Sequence, residues 1–412
     1  MVLASLPREE DAEERIGELT ELLRTAGAET IATIIQRREM PDSRTYLGKG
    51  RLEEVKEIVE REKPELVVAE GELSPGQQRA LEDRLNTRVV DRTAVILDIF
   101  ALHATTAEGK LQVELAQLEY YYARQEGLWQ HLERLGGGLG TRGPGETQLE
   151  VDRRLIRTRM GRLRRRLSRV AGSRALRRRN RQRSEVPRVA LAGYTNAGKS
   201  SLMNALTHAG VSANDALFET LDSTTRTIEH EGWRVLLSDT VGFIRHLPHQ
   251  LVEAFASTLD EVKEADLLLH VVDASEPEHR REAQITAAES VLKEIGADEI
   301  PRALVLNKID LIDADGRAAL AHRASEGLQV SAASGEGIEL LRERLAELAK
   351  ERMVDVQLII PYHRGDLIAA VHADGHEVVQ ETNATGMHLR AMLPVASAGR
   401  IKAALAEDQA PS

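Results

Sequence analysis

The sequence contains no cysteine, no long apolar run and no visible leader segment. Zero Cys among 412 residues excludes disulfides and thiol chemistry. The longest apolar stretches are of the size of residues 267–272, whereas a membrane-spanning helix needs ~20 apolar residues. The first ten residues lack the basic segment and long apolar segment of a secretory signal. We therefore expect a cytoplasmic protein without a membrane partner.

Acidic residues are missing from one stretch of an otherwise acidic chain. The net charge is −11, yet residues 153–183 contain 15 Arg and no Asp or Glu, so the rest of the chain carries −26. Local charge rather than the total decides what a surface binds. A stretch that carries only positive charge favours a nucleic-acid partner, and arginine suits bidentate contact with phosphate. The alternative is internal pairing with the acidic remainder.

The apolar pattern divides the chain into segments. Helical and strand patterns alternate between about residues 13 and 101, which predicts a small α/β domain with a mainly parallel sheet. Apolar residues then recur every three or four positions from 108 to 135 and again from 156 to 170, which predicts an antiparallel pair of long helices. The glycine-rich residues 135–146 between them form either a tip that inserts into a crowded partner or a flexible surface linker.

A glycine-rich segment also lies between a predicted buried strand and a predicted helix. The strand leads into Gly193-x-x-x-x-Gly198-Lys199-Ser200, the pattern of a phosphate-binding loop, whose tight turns need glycine and whose helix N-terminus attracts anions. Lys199 would reach the β- and γ-phosphates, and the Ser200 hydroxyl would bind Mg²⁺. The loop residues expected to contact the nucleotide are Gly193, Tyr194, Thr195, Asn196, Ala197, Gly198, Lys199, Ser200 and Ser201.

Two later strand ends complete the predicted nucleotide site. In the Asp-x-x-Gly pattern, Asp239 can hold Mg²⁺ through water, and Gly242 can donate its N–H to the γ-phosphate. In the later Asn-Lys-x-Asp pattern, Asp310 can accept hydrogen bonds from N1–H and the 2-amino group of guanine. Adenine has an acceptor at N1 and no 2-amino group, so the sequence predicts GTP and GDP as ligands.

Further contacts are expected around these two patterns. Asn307 would bond the other edge of the base, and the aliphatic stem of Lys308 would cover its face. The backbone N–H groups after residue 330 would bond the guanine O6. The expected nucleotide-binding residues beyond the loop are Asp239, Thr240, Val241, Gly242, Asn307, Lys308, Ile309, Asp310, Ser331, Ala332 and Ala333.

The four motifs occur in the order found in GTPase domains, which this part of the chain resembles. The rest of the chain makes the resemblance more specific, because it strongly resembles the HflX family from about residue 15 to residue 400. The segments that carry this likeness are residues 73–77, 90–93, 97–101, 111–118, 140–147 and 193–200.

The resemblance implies a ribosome-associated GTPase that binds the large (50S) ribosomal subunit and its rRNA and splits stalled or idle ribosomes. We expect it to act as a monomer. By position, the resemblance also makes Thr220 a hydroxyl ligand of Mg²⁺ beside Ser200, so that Lys199, Thr220 and Gly242 are the expected catalytic residues. The switch-loop residues expected near the nucleotide are Phe218, Glu219, Thr220, Leu221 and Asp222.

Two other functions stay open on the sequence. One is a GTPase switch for a non-ribosomal protein partner, and the other is an RNA-binding or remodelling protein that works independently of GTP. Phe243 follows Gly242 where fast GTPases have a water-orienting Gln, so we expect slow hydrolysis by the isolated protein. Asn196 either recruits K⁺ beside the phosphates or only shapes the loop.

The expected fold class is α/β with four divisions. A small α/β domain occupies residues 1–107, and the helical hairpin with its glycine-rich tip occupies residues 108–183. A P-loop GTPase domain with a mainly parallel sheet follows over residues 187–352. A small α+β domain, expected from alternating apolar residues and two further helical patterns, ends the chain over residues 353–412.

Overall fold

The computed structural model describes most of the chain and contains three sheets. The described residues are 1–7, 11–135, 148–181, 186–207, 218, 224–244, 261–323 and 327–408. Among these residues, no helix is both long enough and apolar enough to cross a membrane. The glycine-rich tip predicted between the two long helices lies outside them.

The helices and strands follow one another as the alternating patterns predict. The helices are α1 Ala12–Thr25, α2 Lys49–Glu62, α3 Pro75–Leu85, α4 Arg92–His103, α5 Ala107–Leu135, α6 Gln148–Arg181, α7 Lys199–Thr207, α8 Glu278–Glu294, α9 Ala314–Arg323, α10 Ile338–Glu351, α11 Gly365–Asp374 and α12 Val395–Asp408. The strands are β1 Val2–Leu6, β2 Thr33–Arg37, β3 Leu66–Ala69, β4 Arg88–Asp91, β5 Arg188–Gly193, β6 Thr224–His230, β7 Trp233–Asp239, β8 Leu267–Asp273, β9 Arg302–Asn307, β10 Leu328–Gln329, β11 Met353–Ile360, β12 His376–Asn383 and β13 Gly386–Pro394.

The first sheet is parallel throughout and has the order β2-β1-β3-β4. Its second strand in space, β1, is buried at every residue, although the alternating pattern was expected to begin only after it. The five residues of β1 are all buried, Ser5 included, so they show no alternation that would mark a strand in the sequence. The helix α3 begins at Pro75, with a capping box between Ser74 and Gln77.

The long helices α5 and α6 pack against each other, as the predicted hairpin requires. Met160 and Leu163 of α6 are buried, which agrees with the apolar spacing. Some arginines of α6 pair with acidic residues of α5: Arg159 lies 2.6 Å from Glu114, and Arg164 lies 2.8 Å from Glu119. Internal pairing therefore accounts for part of the arginine stretch.

Other arginines of α6 are exposed. The side chains at positions 162, 165 and 166 recur at helical spacing, so they share one face of the helix. Within the described residues, Arg162, Arg165 and Arg166 make no ion pair. We call these three residues the arginine ridge.

The second sheet has the order β10-β9-β8-β5-β7-β6. All of its strand pairs are parallel except the pair β6 and β7, which is antiparallel. The strand β5 is central, and its residues Val189 to Gly193 are buried. The carboxyl ends of β5, β7, β8 and β9 consequently lie along one edge, which is where open α/β sheets bind ligands.

The third sheet is antiparallel with the order β11-β13-β12. The helices α11 and α12 contact it, and the core between them includes Leu358, Val371, Leu389 and Ile401. The observed order of strand, helix, two strands and helix agrees with the pattern predicted for residues after 352. The predicted α/β fold with a mainly parallel GTPase-type sheet and a small terminal sheet is confirmed.

A single apolar core joins the first sheet's helices to the second sheet. Phe100 of α4 packs edge-to-face on Phe218 with ring centroids 4.6 Å apart, and His103 Nδ1 lies 2.7 Å from the Phe218 carbonyl oxygen. Tyr194 donates its hydroxyl hydrogen to Glu18, which also pairs with Arg92 at 3.0 Å. The N-terminal helices thus contact the phosphate-loop segment directly.

A phosphate-loop site at the carboxyl edge of the central sheet

The loop between β5 and α7 is held in a shape that requires glycine at two positions. Gly193 has φ +151° and Gly198 has φ +85°, both in the region that side chains rarely adopt. A Cβ at Gly193 would collide with the Val271 carbonyl oxygen, and one at Gly198 with the Asn307 side chain. Leu202 N donates to Gly198 O at 2.8 Å as the helix begins. The N-terminus of α7 is therefore open towards the loop, as anion binding needs.

Lys199 lies inside this loop rather than extending into solvent. It is 6% exposed, and its Nζ donates to the carbonyl oxygens of Gly193 at 3.1 Å and Tyr194 at 2.8 Å. Burial lowers the pKa of Lys199 to about 8, and the nearby Asp239 carboxylate opposes this change. An anion placed in the loop would favour the charged form of Lys199.

Two oxygen atoms that could bind a metal ion lie close together at the end of β7. Ser200 Oγ donates to Asp239 Oδ2 at 2.8 Å, and Asp239 is 2% exposed. A hydroxyl and a carboxylate at this distance form the kind of hard donor pair that Mg²⁺ prefers, with waters completing its octahedral shell. The residues present therefore fit a magnesium ion. Thr220, the other expected ligand, lies outside the described residues.

The Asp-x-x-Gly segment is hydrogen-bonded to the loop along its length. Thr195 N donates to Phe243 O at 2.7 Å, and Phe243 N donates to Gly193 O at 3.0 Å. Thr240 Oγ1 donates to Leu191 O at 2.6 Å. Any movement of this segment must consequently break bonds to the phosphate loop.

Gly242 sits directly against the loop. A Cβ at this position would lie 2.8 Å from Thr195 Cγ2 and 2.9 Å from Lys199 Nζ. Phe243 is 1% exposed, and its side chain belongs to the shared apolar core. The residue after Gly242 therefore contributes packing and offers no polar group to the site.

The predicted base-recognition residues come together at the ends of β9 and β10. Ser331 Oγ donates to Asp310 Oδ1 at 2.6 Å, which fixes that carboxylate. Asn307 is 1% exposed; its Nδ2 donates to Ala197 O at 2.9 Å, and its Oδ1 accepts from Ala332 N at 3.0 Å. Asn307 therefore joins the phosphate loop to the loop after β10.

Two groups expected at the base also make bonds within the protein. The side chain of Asn307 bonds the two loops, and the N–H groups of Ser331 and Ala332 donate to Glu336 O at 2.8 Å and to Asn307. A buried amide needs such hydrogen bonds. The contacts of these groups with the base stay a prediction.

Lys308 has a partner that the motif pattern did not predict. Its Nζ lies 2.7 Å from Asp273 Oδ2, and its backbone has φ +65°. Asp273 ends β8, next to the end of β9. An apolar run that ends in Asp also occurs at Asp239, so the same signal in residues 267–273 would have pointed to this position. The ion pair holds the Lys308 ammonium at the end of β8, and its stem passes near Gly198 of the phosphate loop.

The remaining predicted site residues differ in their burial, and some of them lie outside the described residues. Phe218 packs against Phe100, so its ring belongs to the contact with the N-terminal helices. Ile309 and Val241 are buried, Ser201 is partly buried and Ala333 is exposed. The predicted switch-loop residues that lie outside the described part of the chain are Glu219, Thr220, Leu221 and Asp222.

Two other residues near the loop were not expected from the sequence. Glu18 reaches Tyr194 from α1, a contact that depends on tertiary structure alone. His270 of β8 is 5% exposed, and burial, with Arg302 and Lys199 nearby, lowers its pKa to about 4. A lone histidine in an apolar strand carries no sequence signal for such a position.

Family models match most of the chain. Residues 13–101 match a model described as GTP-binding GTPase N-terminal, and residues 103–181 match one described as GTP-binding GTPase Middle Region. Residues 188–308 match a model described as 50S ribosome-binding GTPase. The matches cover the helical hairpin and the phosphate-loop segment alike.

Whole relatives align with nearly the full chain. The GTPase HflX of Lacrimispora saccharolytica is 45% identical over 395 residues, which is 96% of this chain and 93% of the relative. The GTPase HflX of Escherichia coli is 46% identical over 360 residues, 86% of this chain and 83% of the relative. A solved GTP-binding protein from Sulfolobus solfataricus in complex with GDP is 25% identical, with TM-score 0.45, covering 85% of this chain and 99% of that one. Because the two HflX relatives are 45% and 46% identical over most of its length, the chain belongs to the HflX family of GTPases.

Proposed function

We propose that this GTPase binds the large ribosomal subunit as a monomer in its GTP form and dissociates stalled or idle ribosomes. The observation that carries the proposal is the combination of a nucleotide site with the arginine ridge of α6. Supporting it, the family model for residues 188–308 is described as a 50S ribosome-binding GTPase. Arg162, Arg165 and Arg166 are exposed on one helix face, as contact with an RNA backbone requires.

The nucleotide would occupy the carboxyl edge of the central sheet. The phosphates would bind the backbone N–H groups of residues 193–199 and the ammonium of Lys199. Asp310, whose Oδ1 is fixed by Ser331 at 2.6 Å, would accept from the N1–H and 2-amino groups of guanine. A carboxylate facing the N1 acceptor of adenine would lose both bonds, which explains a preference for guanine.

Ser200 and Thr220 would hold Mg²⁺ directly, and Asp239 would hold it through water. The ion, when bound, neutralises charge on the β- and γ-phosphates. Ser200 and Asp239 fit this role because their oxygens already lie 2.8 Å apart, one in the first turn of α7 and the other at the end of β7. The assignment of Thr220 follows the family pattern.

The switch would work through the two segments that contact the γ-phosphate. Gly242 N–H would donate to the γ-phosphate from a segment that is already bonded to the loop at Thr195 and Gly193. The other segment begins next to Phe218, which packs on Phe100 of α4. Ordering both segments by GTP would therefore change the packing of the N-terminal helices and, through α5 and α6, the affinity for the ribosome.

Hydrolysis by the isolated protein would be slow. Phe243 is 1% exposed and has no polar side-chain atom, so it cannot orient the attacking water as a Gln would. The ribosome would raise the rate by completing or ordering the site, and hydrolysis would then time release. Fast single-turnover hydrolysis by the free protein would contradict this part of the proposal.

A potassium ion beside the phosphates is one of two roles for Asn196. This residue is exposed, so its side chain is accessible to an ion, and its backbone has φ +62°. Its left-handed backbone also supports the second role, in which it only shapes the turn. Hydrolysis rates in KCl and NaCl at matched ionic strength decide between them, because equal rates exclude the ion.

The decisive experiment is co-sedimentation of the full chain with ribosomes. Whole ribosomes and isolated large and small subunits are mixed with the protein and a non-hydrolysable GTP analogue, GDP or no nucleotide. We expect binding to large subunits with the GTP analogue, and conversion of whole ribosomes into subunits in a sucrose gradient. Equal binding in all three nucleotide conditions would favour a GTP-independent RNA-binding function. No binding to any ribosomal particle would favour a non-ribosomal partner.

A further inference from the structure

Thr195 carries a buried hydroxyl that the described structure does not satisfy. The residue is 6% exposed, and its Oγ1 has no hydrogen-bond partner among the described residues. Its backbone is engaged, since Thr195 N donates to Phe243 O at 2.7 Å. A buried polar side-chain atom without a partner is rare in folded proteins and calls for a specific explanation.

The position of Thr195 suggests what would satisfy this hydroxyl. Its methyl carbon Cγ2 would lie 2.8 Å from a Cβ placed on Gly242, and Lys199 Nζ would lie 2.9 Å from the same point. Thr195 therefore shares one small region with the two groups that are assigned to the γ-phosphate. Its hydroxyl is the only polar group on the side chain, and the methyl already lies against Gly242.

The residue after Gly242, Phe243, has no side-chain group that could orient the attacking water. Phe243 forms an isolated parallel bridge with Tyr194, the residue before Thr195, and its side chain lies in the apolar core. A water that attacks the γ-phosphate needs a hydrogen-bonding group to orient it. Among the described residues next to Gly242, Thr195 has a hydroxyl that is available for such a bond.

We propose that Thr195 is a catalytic residue of GTP hydrolysis, whose hydroxyl accepts a hydrogen bond from the attacking water. The water oxygen forms a bond to the γ-phosphorus, while the bond from that phosphorus to the bridging oxygen breaks and its electron pair leaves on GDP. One hydrogen of the water stays on its oxygen, and the other passes as a proton to an oxygen of the released phosphate. Thr195 gains and loses no proton. The inference rests on the proposed placement of the γ-phosphate between Lys199 and Gly242.

The test compares Thr195→Val, which keeps the shape of the side chain, with Thr195→Ser, which keeps the hydroxyl. We expect Thr195→Val to lower the single-turnover hydrolysis rate about ten- to hundredfold, with and without large ribosomal subunits. Affinity for GDP, measured with a fluorescent GDP analogue, should change less than about twofold, because GDP has no γ-phosphate. Thr195→Ser should restore the rate to within about threefold of the parent.

Three outcomes would overturn the inference. One is an unchanged hydrolysis rate in Thr195→Val. Another is an equal loss of GDP affinity and hydrolysis, which would give the side chain a loop-shaping role. The third is a Thr195→Ser rate as low as that of Thr195→Val. Thermal unfolding of both variants without nucleotide checks that they fold. With the non-hydrolysable analogue, Thr195→Val should co-sediment with ribosomes as the parent does. If the parent itself did not bind ribosomes, that result would count against the proposed function and not against the role of Thr195.

Discussion

At the scale of single residues, burial controls the charge on the phosphate-binding lysine. Lys199 is enclosed among the loop carbonyls, and this burial lowers its pKa from the usual range to about 8. Bound phosphates stabilise the ammonium form and so raise that pKa. At a pH between the Lys199 pKa of the free protein and the higher Lys199 pKa of the complex, nucleotide binding takes up a proton. The affinity therefore falls as the pH rises through about 8.

We expect the affinity for GDP to be nearly constant near pH 7 and to weaken about fivefold between pH 8 and pH 9. Titration with a fluorescent GDP analogue between about pH 7 and 9 measures it, below the range where guanine loses its own N1 proton. Lys199→Arg is the control, since a guanidinium stays charged across this range and the affinity should show no such bend. A flat profile for the parent protein would contradict the prediction.

In the proposed site, the preference for guanine depends on the carboxylate of Asp310. Replacing Asp310 by Asn exchanges one acceptor oxygen for a donor, while Ser331 can still bond the remaining oxygen. An amide matches xanthine, which has N1–H and a carbonyl at position 2, better than it matches guanine. We expect Asp310→Asn to weaken GDP binding by at least about a hundredfold and to bind xanthosine diphosphate more tightly than GDP. Competition titrations with both nucleotides measure this, and retained guanine preference would place the base elsewhere.

At the scale of elements, α6 has two kinds of arginine. Arg159 and Arg164 are exposed but pair with acids of α5, whereas the arginine ridge, Arg162, Arg165 and Arg166, is exposed and makes no ion pair within the described part of the chain. Exposed pairs contribute little stability, so the first kind mainly orients the two helices and the second kind is available to a polyanion. The stretch of 15 Arg is therefore not a uniform surface.

Reversing the charge of the arginine ridge in the variant Arg162→Glu, Arg165→Glu, Arg166→Glu should weaken binding to large ribosomal subunits. Each lost phosphate contact also makes the binding less sensitive to salt. The plot of log affinity against log salt should therefore become shallower, its slope decreasing in magnitude by about 1 to 3. Binding curves at several salt concentrations measure both effects.

A matched control makes the same change in net charge on other elements. The exposed residues Lys56, Lys293 and Lys402 lie on α2, α8 and α12, and their replacement by Glu should leave binding nearly unchanged. Equal weakening by both triple variants would assign the effect to total charge. No weakening by the α6 variant would remove RNA contact from that helix face.

At the scale of the whole molecule, the nucleotide domain and the N-terminal helices share one core. Phe218 is 2% exposed, and its ring packs on Phe100 at 4.6 Å. A core that spans two sheets should make them unfold together, because opening either one exposes the apolar surface of the other.

We expect Phe218→Ala to destabilise the protein by about 3–5 kcal/mol and to separate the unfolding of the N-terminal helices from that of the nucleotide domain. Urea unfolding followed by tryptophan fluorescence, with Trp233 buried in the nucleotide domain, is compared with circular dichroism. Phe218→Leu should cost less than about 1.5 kcal/mol and keep one transition. Coincident, unshifted transitions in Phe218→Ala would mean that the shared core does not couple the two parts.

Local sequence determined the elements and the nucleotide type. Glycine at positions 193 and 198 is required by backbone angles and close approaches that only a residue without Cβ allows. Strand and helix periodicity set most of the element order, and the Asn-Lys-x-Asp pattern carries guanine recognition because donor and acceptor positions belong to residue type. These features depend on neighbours in the chain, so they can be predicted from the sequence.

Tertiary structure alone decided how these parts touch. The pairing of Lys308 with Asp273, the bonds of Asn307 to two loops and the contact of Tyr194 with Glu18 all join segments far apart in sequence. So does the burial that lowers the pKa of Lys199 and leaves the Thr195 hydroxyl without a partner among the described residues. A residue's type states which bonds it can make, but the packing of distant segments decides which of those bonds are made and which groups lose water.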